Sequence, residues 1–248
     1  MCARARDLGL PGEVATLALE HGDEATMRAA RYDALQHVAR RHGLGGLLLG
    51  HHRGDVAEGL LLHLIGQGGG RGGRSPRLVE DHDSGITRIR PFLGLPKSTL
   101  QACLDSIGVD DVVIDEDDAA GHNARGRLRL TVLGPLASSR PAIEAALARH
   151  ARLLREDDDL LEGLVPDAVT VPTTLPPPLL RRWLRRRIQD IAPDPRTGAE
   201  AIDTALRLAA AAEVGQVSVR GGTVQIRRTA TGLEVAVEAG AGQSPKKR

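Results

Sequence analysis

The densest group of side chains capable of chemistry lies in the stretch GHHRGDVAEGLLLHL, residues 50–64. His52 and Asp55 are three residues apart, as are Asp55 and Glu58, so each pair can face the same way on a helix. Together with His51 they could bind a divalent cation or polarise a substrate. The alternative is that the two carboxylates only favour a helix N-terminus, where negative charge meets the helix dipole. The spacing alone does not decide between these two interpretations.

A second group lies in the stretch DEATMRAARYDAL, residues 23–35. Arg28, Arg31 and Tyr32 share one flank of a predicted helix, because residues three and four positions apart are neighbours on a helix surface. Arginine pairs suit the recognition of phosphate or carboxylate. From the residues alone, a solvated arginine face with Tyr32 as a core anchor is the favoured interpretation.

A third group, within residues 112–136, places an acidic strand end before an arginine-rich helix start. Arg125, Arg127 and Arg129 could clamp an anionic ligand. Alternatively, these arginines form an exposed face that pairs with the acidic residues at 115–118.

The first half of the chain alternates apolar runs with helical patterns, as in a parallel sheet with helices on its faces. The predicted strands cover 13–20, 46–50 (buried), 86–92 and 111–116, and the predicted helices cover 23–41, 55–65 and 96–107. Ligands of such sheets bind at the carboxyl ends of the strands. The strand at 46–50 therefore places His51 and His52 at the functional edge of the sheet.

The second half predicts a smaller domain built from helices and an antiparallel meander. Its helices cover 141–164, 178–191 and 199–213, a proline-rich segment occupies 165–178, and three short strands lie within 216–238. The predicted domains are therefore an α/β domain at 1–138, a helical domain at 139–240 and a disordered tail at 241–248.

The composition excludes several classes of function. The 248 residues carry 33 Lys+Arg and 32 Asp+Glu, and a net charge of +1 excludes a polybasic coat for nucleic acid. One Tyr, one Phe and one Trp are too few for a platform that stacks bases. Cys2 and Cys103 lack the spacing of a zinc site or a disulfide framework, which indicates a reducing compartment. Neither a leader peptide nor a transmembrane segment is recognisable, so we expect a cytoplasmic protein.

Taken in order along the chain, these groups resemble one family. The matching stretches are ATMRAARYDAL, LLLGHHRGDVAEGLLLHL, RIRPFLGLPKSTLQACLDSIGV and ARGRLRLTVLGPL, followed by LLRRWLRRRIQDI, AEAIDTAL and VSVRGGTVQIRR. Over about residues 1–238 the chain resembles the tRNA(Ile)-lysidine synthetase family of the N-type ATP pyrophosphatase, or PP-loop, superfamily. The resemblance implies an α/β fold: the parallel sheet of an incomplete PP-loop ATPase-like (adenine nucleotide alpha hydrolase-like) domain, followed by a smaller helical domain with a β-meander.

The resemblance implies a tRNA-modifying ligase that joins L-lysine to the wobble cytidine of tRNA(Ile) with a CAU anticodon, which gives lysidine. ATP activates the C2 oxygen of the cytidine by adenylation with release of pyrophosphate, and the ε-amino group of lysine then displaces AMP. ATP and Mg²⁺ are the implied cofactors, since the leaving pyrophosphate needs neutralisation. The implied partners are this tRNA and free L-lysine, with no membrane; a homodimer is compatible with this assignment.

Carried over position by position, the resemblance assigns roles to two sets of side chains. The implied catalytic residues, with Asp55 also the implied Mg²⁺ ligand, are His51, His52, Asp55, Glu58 and Arg125. The implied substrate- and ATP-binding residues are Arg28, Arg31, Tyr32, Asp115 and Arg129.

The helix at 178–191 has two different faces. One face is apolar, which predicts a place in the core for Leu180, Trp183, Leu184, Ile188 and Ile191. The other face carries four arginines that could follow tRNA phosphates in a salt-dependent way, Arg181, Arg182, Arg185 and Arg186. A plain solvated helix face is an equally favoured interpretation of these arginines.

The sequence departs from the family pattern at several positions. The SGGxDS loop that cradles phosphates in the superfamily does not occur in it, Gly54 replaces the first acidic residue of the pair in HHxDDxxET, and Gly59 replaces its threonine. A carboxylate missing at position 54 would remove a contact to metal or lysine. The alternative function is therefore a truncated, catalytically inactive relative that binds only tRNA or a partner.

Overall fold

The computed structural model describes residues 2–17, 24–66, 75–82, 85–109, 121, 123–191, 199–211, 215–219 and 224–237. The chain divides into two compact units, Met1–Arg152 and Leu153–Arg248. This division lies inside a long helix, whereas the sequence places the domain boundary before that helix, at 138. The predicted strand at 111–116, Asp115 and the predicted tail at 241–248 lie outside the described residues.

Helices and short strands alternate through the first unit. The helices are α1 (Cys2–Asp7), α2 (Glu24–Arg41), α3 (Arg53–Leu64), α4 (Lys97–Ser106), α5 (Ala124–Leu128), α6 (Gly134–Ser139) and the start of α7 (Ile143–Gly163), with a π-helical turn at Arg129–Leu133 between α5 and α6. The strands are β1 (Gly46–Leu48), β2 (Val79–Glu80) and β3 (Thr87–Ile89). The predicted helices at 23–41, 55–65, 96–107 and 141–164 are confirmed as α2, α3, α4 and α7, with small shifts at their ends.

The sheet of the first unit has the strand order β1-β3-β2 and is mixed. β1 runs parallel to β3, with Leu48 opposite Ile89, whereas β2 pairs antiparallel to β3, with Val79 opposite Ile89. The prediction of a parallel pairing is therefore confirmed for β1 and β3, and β2, which was not predicted as a strand, makes the sheet mixed. Only a short connection joins β2 to β3 along the chain, and parallel pairing would require a long crossover.

Two strand predictions in this unit need correction. Residues 13–17 of the predicted strand at 13–20 have no strand structure. Instead, Glu13 forms an ion pair with Arg41 at the end of α2 and a hydrogen bond with His42 just beyond it, so side chains rather than a backbone ladder anchor the segment. The strand at 46–50 forms as β1, but it is not buried, because Leu48 is 75% exposed and β1 lies at the edge of the sheet formed by the described strands.

Local sequence explains where α3 begins. The backbone N–H of Gly54 donates to His52 Nδ1 at 3.0 Å, and the backbone N–H of His52 donates to Asp55 Oδ2 at 2.8 Å. This reciprocal pair is a capping box at the helix N-terminus. The backbone N–H of Arg53 also donates to the carbonyl oxygen of Leu95 at 2.9 Å, which ties the start of α3 to the segment that leads into α4.

A small apolar core holds α3 in place. Val56 and Leu60 of α3 pack with Ala151 of α7, and Leu93 and Leu147 lie against this cluster. Full burial of an aliphatic side chain of this size stabilises a fold by about 1.5–3 kcal/mol. The apolar face of α3 therefore fixes the orientation of the helix whose first turn carries His52 and Asp55.

The second unit contains a four-stranded antiparallel sheet and the helices that pack on it. Its elements are the remainder of α7, β4 (Thr170–Val171), α8 (Pro177–Ile191), α9 (Ala199–Ala210), β5 (Gly215–Val219), β6 (Val224–Arg228) and β7 (Leu233–Val237), with the strand order β4-β7-β6-β5. The predicted helices at 178–191 and 199–213 and the meander are confirmed. β4 is an addition, in which Thr170 pairs with Glu234 of β7.

The core of the second unit is built around α8. Trp183, Leu184 and Ile188 are fully buried, together with Ile226 and Leu233 of the sheet, which confirms the predicted apolar face of this helix. The indole N–H of Trp183 donates to the carbonyl oxygen of Ala168 at 2.9 Å, so the one polar atom of this side chain is satisfied. Within the described ranges, no helix has the length and apolar character needed to cross a membrane.

Candidate active site at the carboxyl end of β1

A cavity of about 420 Å³ lies at the carboxyl end of β1. Its walls come from α2, the loop after β1, α3, α4 and the π-helical turn, and they consist of Arg31, Tyr32, Leu35, Leu49, Gly50, His51, His52, Asp55, Lys97 and Arg129. All of these residues belong to the first unit. The cavity therefore collects side chains from the three groups singled out in the sequence, at the sheet edge where His51 and His52 were expected.

Asp55 has two roles at the start of α3. Its Oδ2 accepts the hydrogen bond of the capping box, so the helix-stabilising interpretation of this residue is correct. Asp55 also lines the cavity, and its Oδ1 has no hydrogen-bond partner among the described residues. His52 contributes through the same box: because its Nδ1 accepts from Gly54, the ring carries its hydrogen on Nε2.

His51 is held in its neutral form. Burial lowers the pKa of its imidazole, Arg28, Arg90 and Arg125 lower that pKa further, and Asp55 opposes them. The buried Nδ1 of His51 has no hydrogen-bond partner among the described residues. His51 thus forms part of the cavity wall as an uncharged ring, and its buried Nδ1 is not open to a ligand.

Glu58 lies behind the cavity rather than in its wall. Its side chain is 3% exposed, and Arg129 Nε donates to Glu58 Oε1 at 2.8 Å, while Arg125 Nη1 lies 3.8 Å from Oε2. The pair connects α3 to the π-helical turn, a type of local widening that is frequent at functional sites. Glu58 and Arg125 are thus placed beside Arg129 and not among the lining residues.

Tyr32 is half-buried, and two guanidinium groups lie over its ring. The Cζ of Arg88 is 4.4 Å from the centroid of the Tyr32 ring, and the Cζ of Arg28 is 5.6 Å from it. Such contacts attract a cation to the face of an aromatic ring. Tyr32 is therefore an anchored wall of the cavity, with exposed Arg31 beside it, while Arg28 supports the ring. The part played by Arg88 in β3 was not predicted.

Lys97 is the charged cavity residue that the sequence-based assignment misses. It is the first residue of α4, and its side chain is exposed. A signal was present, since the sequence has Lys only at position 97 and at positions 246 and 247, and arginine elsewhere. Only the fold shows that this lysine lines the same cavity as Arg31 and Tyr32 of α2.

Gly54 is not among the lining residues. A Cβ atom at this position would lie 2.8 Å from His52 Cε1 and 3.6 Å from Glu144 Oε2. Arg53 Nε donates to the other oxygen of Glu144 at 2.8 Å, which holds that carboxylate beside α3. The Cβ of a side chain at position 54 would therefore lie close to the His52 ring and to Glu144.

The four arginines of α8 separate into two pairs. Arg182 forms ion pairs with Asp158 and Glu162 of α7, and Arg186 Nη2 lies 3.1 Å from Glu162 Oε1. Arg181 and Arg185 are exposed instead. The first pair therefore serves to hold α8 against α7 within the second unit, and the second pair remains accessible.

The described residues offer few ligands for a metal ion. Across the ranges that the structure describes, no group of three or more His, Cys, Asp and Glu side chains could hold one. Asp55 supplies the carboxylate of the cavity wall, and its Oδ1 accepts no hydrogen bond from the described residues. This donor set does not build a metal centre from protein groups alone.

Comparison with known proteins assigns the class. The model of the PP-loop domain matches residues 1–136, more than half of the chain, and the chain belongs to this family. The matched range contains every residue that lines the cavity.

Within this family, the chain is similar to proteins named tRNA(Ile)-lysidine synthase. The protein of Streptomyces coelicolor is 39% identical over 202 residues, which cover 74% of this chain and 56% of the relative. The protein of Bordetella parapertussis is 33% identical over 162 residues, covering 62% and 46%, and that of Deinococcus radiodurans is 34% identical over 199 residues, covering 76% and 32%. The resemblance inferred from the sequence is confirmed. The chain spans about half the length of the first two of these relatives and about a third of the length of the Deinococcus radiodurans protein.

Proposed function

We propose that this chain acts in the ATP-dependent joining of lysine to the wobble cytidine of tRNA(Ile) with a CAU anticodon, the reaction that forms lysidine. The main support is the cavity at the end of β1, where Arg31, Lys97 and Arg129 accompany a single carboxylate, Asp55. Such an excess of cations suits a polyphosphate. The name of the relatives supplies the substrate, tRNA(Ile).

In this proposal the triphosphate of ATP binds against the cationic wall of the cavity. Arg129 is held there by Glu58, so little conformational freedom is lost when its guanidinium meets phosphate. Tyr32, Leu35 and Leu49 form the apolar part of the wall and suit the face of a nucleobase.

Mg²⁺ fits this site only together with a phosphate ligand. Mg²⁺ usually binds through one or two carboxylates plus substrate phosphates, and Asp55 Oδ1 is a suitable oxygen. When bound, the ion neutralises negative charge on the leaving pyrophosphate. Asp55→Asn should therefore weaken Mg²⁺-dependent ATP binding while the amide oxygen keeps the capping hydrogen bond.

The proposed reaction has two steps. The C2 oxygen of the cytidine attacks the α-phosphorus of ATP, and the bond from that phosphorus to the bridging oxygen breaks as pyrophosphate leaves. The ε-nitrogen of lysine then attacks C2, the C2–O bond breaks as AMP leaves, and the nitrogen loses a proton. Arg31, Lys97 and Arg129 stabilise the charge that develops on pyrophosphate, and water takes the proton.

Contact with tRNA is assigned to Arg181 and Arg185 of α8, because these two side chains are exposed. Arg182 and Arg186 already pair with carboxylates of α7. Arginine contacts to phosphate give affinity that falls steeply with salt, without reading the base sequence.

The test is the incorporation of radiolabelled lysine into a tRNA(Ile) transcript with a CAU anticodon by the purified full chain. The Streptomyces coelicolor relative serves as the positive control, and a transcript with uridine in place of the wobble cytidine serves as the negative control. We expect ATP-dependent incorporation into the first transcript only, and its loss in the Asp55→Asn variant.

Two results would contradict this function. If the chain binds the tRNA but incorporates no lysine while the positive control does, the alternative of an inactive, tRNA-binding relative replaces it. If the chain neither binds the tRNA nor modifies it, both functions are wrong.

A further inference from the structure

The charged groups of the cavity wall differ in whether their charge is already neutralised. Arg129 pairs with the carboxylate of buried Glu58, which neutralises part of its charge. Arg31 and Lys97, in contrast, form no ion pair with any residue that the structure describes. Two cations on one cavity wall repel each other, and a bound anion relieves that repulsion.

We propose that Lys97 is a polyphosphate-binding residue of the cavity and, together with Arg31, favours a ligand with more than one negative charge. This assignment rests on the proposed function, because it names the group that would contact the phosphates of ATP or free pyrophosphate. Neither the sequence groups nor the resemblance assigned a role to Lys97.

The fold keeps Lys97 at the cavity by fixing the segment before α4. The backbone N–H of Arg53 donates to the carbonyl oxygen of Leu95 at 2.9 Å. The backbone N–H of Leu95 donates in turn to the carbonyl oxygen of Phe92 at 2.9 Å. Leu93 also packs against the core formed by α3 and α7. The start of α4 is thus joined to the start of α3, so Lys97 and Asp55 belong to one framework.

A lysine suits this place for a physical reason. An ammonium group is a compact point charge with three donors on a flexible stem, whereas a guanidinium is a planar fork. Arg31 and Arg129 can each bind two phosphate oxygens at once. The flexible stem of Lys97 allows its ammonium group to move with a phosphate oxygen. We therefore expect a preference for pyrophosphate and ATP over AMP, whose single phosphate cannot meet all three cations.

The scarcity of lysine makes the experiment direct. The chain has side-chain amines only at Lys97, Lys246 and Lys247, so the last two serve as internal controls for acylation measured by mass spectrometry. The probes are pyrophosphate, ATP, AMP, L-lysine and sulfate at matched ionic strength. At a pyrophosphate concentration about ten times its Kd, we expect acylation of Lys97 to slow about tenfold, with Lys246 and Lys247 unchanged.

Variants separate a specific contact from a general effect of charge. Lys97→Gln should weaken pyrophosphate binding about tenfold to hundredfold by calorimetry, as for loss of one charge-assisted hydrogen bond, and Lys97→Arg should retain most of the affinity. Arg140→Gln removes the same charge from an exposed residue outside the cavity and should change the affinity little. Far-UV circular dichroism checks that all three variants are folded.

The outcomes distinguish this assignment from the proposed function. If ATP binds but Lys97 is not protected and Lys97→Gln binds normally, the assignment of Lys97 is wrong and the nucleotide site stands. If sulfate protects Lys97 as well as pyrophosphate does, or L-lysine protects it and pyrophosphate does not, the preference for polyphosphate is wrong. If neither ATP nor pyrophosphate binds to the chain, both the assignment and the proposed nucleotide site are wrong.

Discussion

Glu58 and Arg129, 71 positions apart in the sequence, form an ion pair in which Arg129 Nε lies 2.8 Å from Glu58 Oε1. Glu58 is 3% exposed and does not line the cavity, whereas Arg129 does. The carboxylate therefore acts through the arginine: it fixes the direction of the guanidinium and neutralises part of its charge. Glu58 is a positioning residue.

A double-mutant cycle tests this relationship. Glu58→Gln should lower the free energy of unfolding by about 1–3 kcal/mol, because a buried acceptor of a charged donor loses its charge. Arg129→Gln should lower it as well, and the double variant should lose less than the sum, with a coupling of about 0.5–3 kcal/mol. Urea unfolding followed by far-UV circular dichroism gives these values.

Trp183, the sole tryptophan of the chain, provides the control for this cycle. It lies in the core of the second unit, so the midpoint of its fluorescence transition should not move in either single variant. Strictly additive effects of the two substitutions would show that Glu58 does not act through Arg129. A parallel shift in Trp183 fluorescence would show that the variants perturb more than the first unit.

Regular amphipathic patterns were the part of the fold that sequence could predict. The period of apolar residues in α8 correctly identified the face with Trp183 and Ile188 that enters the core. Strands of two residues, such as β2 and β4, carry no such period and depend on the neighbour with which they pair. The apolar run of β1 predicted a buried strand and was wrong, because such a run does not show which face of a strand is covered: Leu48 is 75% exposed.

The candidate site was predictable only in part, for a similar reason. Side chains close in sequence, such as His52 and Asp55, were found from their spacing. The position of Lys97 in the cavity wall and the ion pair between Glu58 and Arg129 both arise from contacts between segments that are far apart in the sequence. The spacing of neighbouring residues cannot predict such contacts. The same applies to Arg182, whose partner Asp158 lies on another helix.

His51 should titrate below the ordinary range of a histidine. Because its pKa in the folded state is lowered from 6.5, the unfolded chain binds more protons as the pH falls through that value. The contribution of neutral His51 to stability is therefore present above about pH 6.5 and is lost progressively below it.

NMR titration of the imidazole Cε1–H signals measures this pKa, and His51→Gln identifies the signal. The variant should also lose less stability than the parent chain between about pH 7.5 and pH 5.5. A His51 signal that titrates at or above the ordinary pKa, or equal losses in both proteins, would contradict the expected burial.

Two glycines of α3 should respond to alanine in opposite directions. Gly54→Ala places a Cβ 2.8 Å from His52 Cε1, so the ring must turn away and the cap from Gly54 N–H to Nδ1 is broken. We expect destabilisation of about 0.5–2 kcal/mol. Gly59→Ala is the matched control: its Cβ meets nothing within 4 Å, and alanine in a helix interior should stabilise by about 0.5–1 kcal/mol.

Urea unfolding of both glycine variants, read by far-UV circular dichroism, measures the two signs. Hydrogen exchange of the first turn of α3 shows whether the destabilisation in Gly54→Ala is local to the cap. Equal stabilisation by both substitutions would mean that His52 does not cap α3 in solution.

The arginines of α8 should separate into one pair that affects RNA binding and one that affects stability. Arg181→Gln with Arg185→Gln should weaken binding to the tRNA and reduce the slope of log K against log[salt] by about 0.7 for each phosphate that is no longer neutralised, while the Trp183 unfolding midpoint stays unchanged. Arg182→Gln with Arg186→Gln removes the ion pairs to Asp158 and Glu162 and should lower that midpoint. Filter binding over a range of salt concentrations and fluorescence-monitored unfolding give the two readouts.

Both double variants remove the same charge from one helix, so each is the control for the other. Equal losses of tRNA affinity would show that net charge rather than the exposed pair governs binding. No loss of affinity in either variant would show that α8 is not part of the RNA interface.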